Sequence, residues 1–404
     1  MANPPLKGIR VVSLGTGAAI PDFALILAQL GADVIKIESL SNPDFMRVVH
    51  GGDVNANGMF NEANRNKRSF GVDLKKERGK KLVEELIKMS DVFGENFRHG
   101  AMDELGLGYE TVRKIKPDII YLSSYGFGKG GPYSDYRAFG PTITAASGLL
   151  SLWAHPGDTY PTGANTTIPD HLASKMGVLV VLSALDYRRR TGKGQFIDIS
   201  QIEVAANLIG EAYLDYTVNG RVQKPAGNRN PSAAPHGCYP CKGDDQWCAI
   251  SVFSDDEWQN FCSAIGNPVW SSDPKFANTQ GRLENVDELD KLIAEWTINR
   301  DPAEVMNTLQ AAGVAAGLVQ RGVDWANDPQ LQHLNAMIEV DHPIVGKQLY
   351  PNAPFKISDM VFPASTPAPL FGQHTEEICQ EMLNMSREEI ERLKKEEVLE
   401  VQVD

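Results

Sequence analysis

Through the first third of the chain, short β-branched apolar runs alternate with stretches whose apolar residues recur at helical spacing. The run Gly8-Ile9-Arg10-Val11-Val12-Ser13-Leu14 reads as a strand, and residues 23–30 read as a helix. Gly31 supplies the helix stop, and Ala32-Asp33-Val34-Ile35-Lys36-Ile37-Glu38 follows as a second strand. The cycle recurs. Residues 75–90 place Leu82, Val83, Leu86 and Met89 on one helical face, and Asp91-Val92-Phe93 opens another strand. A short helix over 109–115 then leads to the strand Ile119-Ile120-Tyr121-Leu122-Ser123. Strands separated by helices of this length need crossover connections, so the pattern predicts an α/β fold with a mostly parallel, Rossmann-like sheet.

From 125 to 170 the pattern loosens into loops rich in glycine and proline around one small-residue helix, 142–150. Loops of that kind at the carboxyl edge of a parallel sheet are where ligands normally sit. Residues 171–188 predict a helix, 195–199 a strand and 201–218 another helix. Glycine, proline and asparagine recur from 219 to 237 without an apolar period, which marks a boundary. Beyond it, a strand at 247–252 and helices at 254–265 and 286–296 predict a smaller α+β unit, residues 221–320. Residues 363–369 read as an extended arm, and a charged helix over 386–398 closes the chain.

The length of 404 residues exceeds what one hydrophobic core usually sustains. With 42% apolar and 23% charged residues, wholesale disorder is excluded. Acidic residues outnumber basic ones, 52 to 39, and the net charge of −13 opposes a nucleic-acid partner. The start Met1-Ala2-Asn3-Pro4-Pro5 is not a secretory signal. The most apolar uncharged run, 176–185, is about half a membrane span and reads as a buried helix. Five cysteines, an odd number, fit a reducing cytoplasm. Cys238 and Cys241 form a C-x-x-C pair, but no second pair or histidine cluster completes a zinc site, so no metal is expected.

Several segments carry possible chemistry. Gly15-Thr16-Gly17 follows a strand, and Glu38 ends the next one, the rough spacing of a dinucleotide fingerprint. The third glycine would fall at Ile20, however, so a plain tight turn competes with a nicotinamide-dependent oxidoreductase. Asn66-Lys67-Arg68 and Arg188-Arg189-Arg190 offer anion grips, against a solvated charge run and a helix end. No G-x-S-x-G elbow or phosphate loop occurs. Asp170, in Ile168-Pro169-Asp170-His171, stands between a loop and a helix. It reads either as a helix N-cap or as a carboxylate nucleophile aimed into a cleft.

Taken together, Leu30-Gly31-Ala32-Asp33-Val34-Ile35-Lys36-Ile37-Glu38, Asn66-Lys67-Arg68-Ser69, Val72-Asp73-Leu74-Lys75, Glu95-Asn96-Phe97-Arg98, Thr191-Gly192-Lys193-Gly194-Gln195, Ala312-Gly313-Val314 and Leu370-Phe371-Gly372-Gln373-His374-Thr375 resemble the class III CoA-transferases, the formyl-CoA transferase and carnitine CoA-transferase family. The resemblance runs nearly end to end. It implies a large CoA-binding domain of residues 1–220 completed by 321–404, a small domain from the middle, and a dimer of interlocked rings. It also implies that Asp170 is the nucleophile. Its carboxylate would take the acyl group of a donor thioester as a mixed anhydride, then become an aspartyl-CoA thioester, and a carboxylic-acid acceptor would reverse the steps. No metal enters this scheme, and coenzyme A enters only as a substrate thioester.

Contacts to CoA implied by the resemblance fall on Val72, Asp73, Leu74, Lys75, Asn96, Phe97, Arg98 and Arg137. A substrate loop corresponds to Ser232-Ala233-Ala234-Pro235-His236-Gly237, in which only Gly237 is glycine. The chain also departs from the formyl-CoA enzymes. Thr16 and Ala18 stand in place of a His and a Gln, and Ser39 and Glu104 in place of two arginines, which favours a more apolar acyl group. The histidine of the related α-methylacyl-CoA racemases corresponds to Phe139, which disfavours racemisation. The succinyl-CoA:benzylsuccinate type looks closest in style, with succinyl-CoA as donor. A non-catalytic subunit of a hetero-oligomeric transferase is a further reading.

Overall fold

A computed structural model describes residues 3–161, 163 and 167–401. Strands β1 (Arg10–Leu14), β2 (Asp33–Glu38), β3 (Arg68–Gly71), β4 (Val92–Glu95), β5 (Ile120–Tyr125) and β6 (Gln195–Ser200) form one parallel sheet in the order β3-β2-β1-β4-β5-β6. The order reverses between β1 and β4. In an open parallel sheet, that reversal leaves a crevice beyond the carboxyl ends of the two strands.

The strands are apolar on both sides because helices cover both faces. On one face lie the helix Glu77–Lys88 and two helices from the chain's end, Thr375–Glu381 and Arg387–Lys395. They bury Leu82, Val83, Leu86, Ile378, Ile390 and Leu393 with Val12, Ile35 and Phe93. On the other lie Ala19–Gln29 and Ile168–Thr191, which bury Phe23, Leu27 and Val181 with Val11, Val34 and Leu122. Each fully buried aliphatic or aromatic side chain contributes about 1.5–3 kcal/mol.

By length and composition Ile168–Thr191 could cross a membrane. Its Ala173, Gly177, Val181 and Ala184 are buried against the sheet, but Met176 and Leu179 are exposed, so the run 176–185 buries one face and not the whole helix expected from its composition. It starts before residue 171, and Gly192, with φ of +73°, stops it. The single helix read over 201–218 is instead two, Gln201–Asn207 and Gly210–Asn219.

The chain divides into two compact units. The first comprises Met1–Leu150, Gly163–Arg221 and His333–Asp404, and the second Ser151–Thr162 and Val222–Gln332. The second unit thus extends past residue 320 and takes up a stretch before residue 163. Two hydrogen bonds fit this: Gly227 N–H donates to the Ala154 carbonyl at 3.1 Å, and Gln320 Nε2 to Asp328 Oδ2 at 2.6 Å. The second unit contains an antiparallel sheet of β7 (His236–Pro240), β8 (Trp247–Ser251) and β9 (Ala315–Leu318). Its helices Asp255–Ala264, Val286–Thr297 and Pro302–Ala311 enclose Trp258, Phe261 and Phe276. In the first unit, β10 (Met337–His342) and β11 (Gly346–Pro351) form a hairpin.

Candidate active site

The crevice is shaped first by the turn after β1. A Cβ on Gly15 would lie 2.3 Å from the Ile20 side chain, and Gly17 has φ of +71°. Only glycine permits so tight a turn. The turn is pinned by Asp44, which accepts from the Gly17 amide at 3.0 Å, the Thr16 hydroxyl at 3.1 Å and Lys36 Nζ at 2.7 Å. Lys36 and Asp44 are both buried. Burial opposes the Asp44 charge, but Lys36 and the Gly17 and Met46 amides outweigh it and hold the carboxyl below its ordinary range.

Asn96 clips the turn after β4 to the turn after β1. It accepts from the Thr16 amide at 2.9 Å and donates to the Thr16 carbonyl at 2.8 Å. The preceding Glu95 is fully buried and accepts from the Ser123 hydroxyl and the Phe97 amide. Burial pushes its carboxyl up to about 7 against those donors.

Asp170 is not a helix cap. Thr167 occupies the N-cap position, and Asp170 lies inside the first turn of Ile168–Thr191, after Pro169. One carboxylate oxygen, Oδ2, is buried with no hydrogen-bond partner among the described residues. Burial pushes the carboxyl up to about 6, against the lowering effects of His171 and the residue's own amide. A helix N-terminus favours an anion, but here desolvation wins. Gly140 makes the room, since a Cβ there would lie 2.3 Å from Asp170 Oδ2. Asp22, from the helix Ala19–Gln29, fixes the base of the Asp170 helix. It accepts from Ser174 Oγ at 2.6 Å and Lys175 Nζ at 2.9 Å, and meets His171 Nδ1 at 3.1 Å.

These elements enclose a cleft of about 560 Å³ within the first unit. Asp170 lines it together with Asn96, Phe97, Arg98 and Arg137, so five of the residues singled out in the sequence come together there. Arg98 pairs with Glu104, whereas Arg137 is exposed. Val72, Asp73, Leu74 and Lys75 lie outside the cleft lining. Val72 is a core residue, Leu74 packs against the same core, and Asp73 accepts from the Lys75 amide at 2.9 Å.

Ala233, Ala234, His236 and Gly237 belong to the second unit. There Ala233 and Ala234 are buried, and the Ala234 carbonyl accepts from Arg282 at 2.7 Å. His236 Nδ1 lies 2.7 Å from the Asn228 carbonyl, and Gly237 is part of β7. A second cavity of about 530 Å³, wholly in this unit, is lined by Arg229, Tyr239, Asp287 and Asp290. Those groups already satisfy one another, Arg229 on both aspartates and the Tyr239 hydroxyl on Asp290.

Two sequence motifs turn out to be structural. Glu38 is fully engaged by Arg47 Nε at 2.8 Å, Arg47 Nη2 at 2.9 Å and the Ser69 hydroxyl at 2.8 Å, so it is not free for a ribose. Lys67 is buried and donates to the Pro21 and Ala63 carbonyls at 2.7 and 2.9 Å, rather than holding an anion. Sequence reasoning missed Phe45, Met59 and Gly140 in the cleft. Their importance arises from contacts across the chain that no local pattern signals. No group of histidines, cysteines and acidic residues suited to a metal occurs among the described residues.

Residues 6–375 match the model of CoA-transferase family III. The chain is 36% identical over 404 residues to a probable CoA-transferase, Rv1866, of Mycobacterium tuberculosis, covering 98% of this chain and 50% of that protein. It thus spans half the length of that relative. It is 32% identical over 400 residues to the succinyl-CoA–L-malate CoA-transferase beta subunit of Chloroflexus aurantiacus, covering 98% of each. The crystal structure of a CAIB/BAIF family protein from Brucella suis superposes with a TM-score of 0.86 at 30% identity, over 94% of this chain and 100% of that one. The chain therefore belongs to CoA-transferase family III, a family of transferase enzymes.

Proposed function

We propose that the protein moves CoA from an acyl-CoA donor to a free carboxylic acid, with the Asp170 carboxylate as temporary acyl carrier. The observation that carries this reading is that Asp170 lines the cleft at the switch point of the sheet with its Oδ2 buried and without a hydrogen-bond partner among the described residues. The carboxylate attacks the donor thioester carbonyl, the C–S bond breaks, and CoA thiolate leaves a mixed anhydride. The thiolate attacks the aspartyl carbonyl, giving an aspartyl-CoA thioester and the donor acid. The acceptor carboxylate attacks that thioester, and the returning thiolate takes the acceptor acyl group and frees Asp170. One thioester replaces another, so the exchange is nearly thermoneutral. Desolvation keeps the ionised carboxylate basic and hence nucleophilic, and positioning supplies much of the rate.

In this reading Arg137 is the cation that meets CoA phosphate, and Asn96 and Phe97 line the pantetheine path. Arg98 reaches phosphate only by leaving Glu104. Succinyl-CoA, the donor in the name of the Chloroflexus relative, is the first donor to try. That relative is named as a subunit, which supports pairing with a homologous chain as the alternative to a homodimer. Contact with a second chain, as an interlocked dimer would require, is further supported by the helix Gly210–Asn219, which has no buried residue yet exposes Tyr213, Leu214, Tyr216 and Val218. Free cysteines are consistent with a cytoplasmic setting.

The test mixes the purified chain with succinyl-CoA and a panel of acids and follows new CoA esters by chromatography. Exchange that disappears in Asp170→Ala supports the reading, and undiminished exchange in that variant refutes it. Exchange that requires a second polypeptide identifies the chain as one subunit of a heteromer. Sedimentation of the pure chain as a monomer contradicts the homodimer.

A further inference from the structure

Three large apolar side chains line the cleft and remain open to water: Phe45 at 45% exposure, Met59 at 48% and Phe139 at 69%. None of them is part of an apolar core cluster, so the fold does not need them where they stand. Wet apolar surface concentrated in a concave site is the mark of a ligand that covers it.

The backbone of each is held. The Phe45 amide donates to Thr16 Oγ1 at 3.0 Å, the Met59 amide to the Asn57 cap at 3.0 Å, and the Phe139 amide to Thr142 Oγ1 at 2.8 Å. The Phe45 and Phe139 rings lie 6.0 Å apart between centroids at 44°, a tilted pair. Phe139 immediately precedes Gly140, against which Asp170 Oδ2 rests. The aromatic pair thus belongs to the end of the cleft where Asp170 lies.

The charges point the same way. Apart from His99, the basic residues lining the cleft are Arg98 and Arg137, and Arg98 is paired with Glu104. The segments bearing Phe45 and Met59 bring no cation to the lining. With Arg98 on Glu104 and Arg137 assigned to CoA phosphate, a second carboxylate enclosed there would lose water without gaining a lysine or arginine partner.

From this wall we infer that the acid exchanged at Asp170 is a monocarboxylic acid carrying a ring or a branched apolar tail, with Phe45, Met59 and Phe139 selecting it. The inference rests on the CoA-transfer reading above.

The test compares 3-phenylpropionate with glutarate on the full chain, as acceptors from isovaleryl-CoA, whose acyl group has no second carboxylate, and, separately, as ligands by calorimetry with CoA present. The expected result is a preference for phenylpropionate of about tenfold or more in kcat/KM and in affinity. Phe139→Ala and Phe45→Ala should each cut that preference about tenfold, and Phe139→Leu should restore most of it. Glutarate preferred, or a preference that none of the variants moves, overturns the inference even if exchange is fast. Selective phenylpropionate binding lost in Phe139→Ala, with no exchange for any acid, instead sinks the transfer reading and leaves the selectivity standing.

Discussion

Adding one methyl group at Gly140 should displace the Asp170 carboxylate. The new Cβ would sit 2.3 Å from Asp170 Oδ2 and 3.1 Å from the Thr167 Cα. Comfortable contact distances are about 3.5 Å, so the carboxylate must retreat by roughly 1 Å. A misplacement of that size costs on the order of 100-fold in rate, about 2.7 kcal/mol of transition-state stabilisation. The fold should notice little. Gly140 opens the helix Gly140–Ala146 and is not among the positive-φ glycines, and alanine in a helix is favoured over glycine by up to about 1 kcal/mol. The assay pairs steady-state exchange with calorimetric melting. Gly140→Ala should melt within a few degrees of wild type while its kcat falls about 100-fold. Unimpaired turnover at unchanged Tm would refute the idea that Gly140 exists to seat the carboxylate.

Further expectations follow from the same geometry. Exchange should fall as pH drops through about 6, where Asp170 takes up its proton, and a flat rate from pH 5 to 8 would contradict that ionisation. The folded state holds this proton up to about 6, whereas the ordinary carboxyl releases it near 3.8. Ionisation therefore destabilises the fold as pH rises across that window, by up to about 3 kcal/mol, fully developed above it. Denaturant melts of wild type and Asp170→Ala should show wild type losing ground over this range, and parallel curves would count against it. Glu104→Gln frees Arg98 and should lower KM for the acyl-CoA by up to about fivefold, the worth of an exposed ion pair, with the gain fading in high salt. Asp44→Ala leaves buried Lys36 without its counter-ion, holding only the Gly15 carbonyl, and loosens the turn after β1, and should cost about 3–5 kcal/mol in urea unfolding.

The parallel sheet was legible because most of its strands are apolar runs and its covering helices carry an apolar face, whereas β3, Arg68-Ser69-Phe70-Gly71, is too short and mixed to show one. Those periods survive in β1, β2, β4 and β5 and in Glu77–Lys88. The small-unit strands β7 and β9 were not legible, because short antiparallel strands carrying glycine and proline have no pattern of their own and take their form from β8. The same limit applied to the site. Asp170 was visible only as an acid at a helix start, a position that capping explains equally well. What distinguishes it is Gly140 against its oxygen and the lack of a hydrogen-bond partner for that oxygen among the described residues, and both are facts of packing. Conversely, Glu38 looked like a ribose ligand by spacing until Arg47 and Ser69 were found to occupy it.

Whether the carboxyl of Asp170 becomes covalently acylated during turnover can be read directly. The chain is incubated with an acyl-CoA, quenched with borohydride or hydroxylamine, digested, and its peptides are weighed by mass spectrometry. The expected result is one modified peptide, with the change at Asp170 and no modification in Asp170→Ala. A label on any other residue, or full turnover with none trapped, would contradict it.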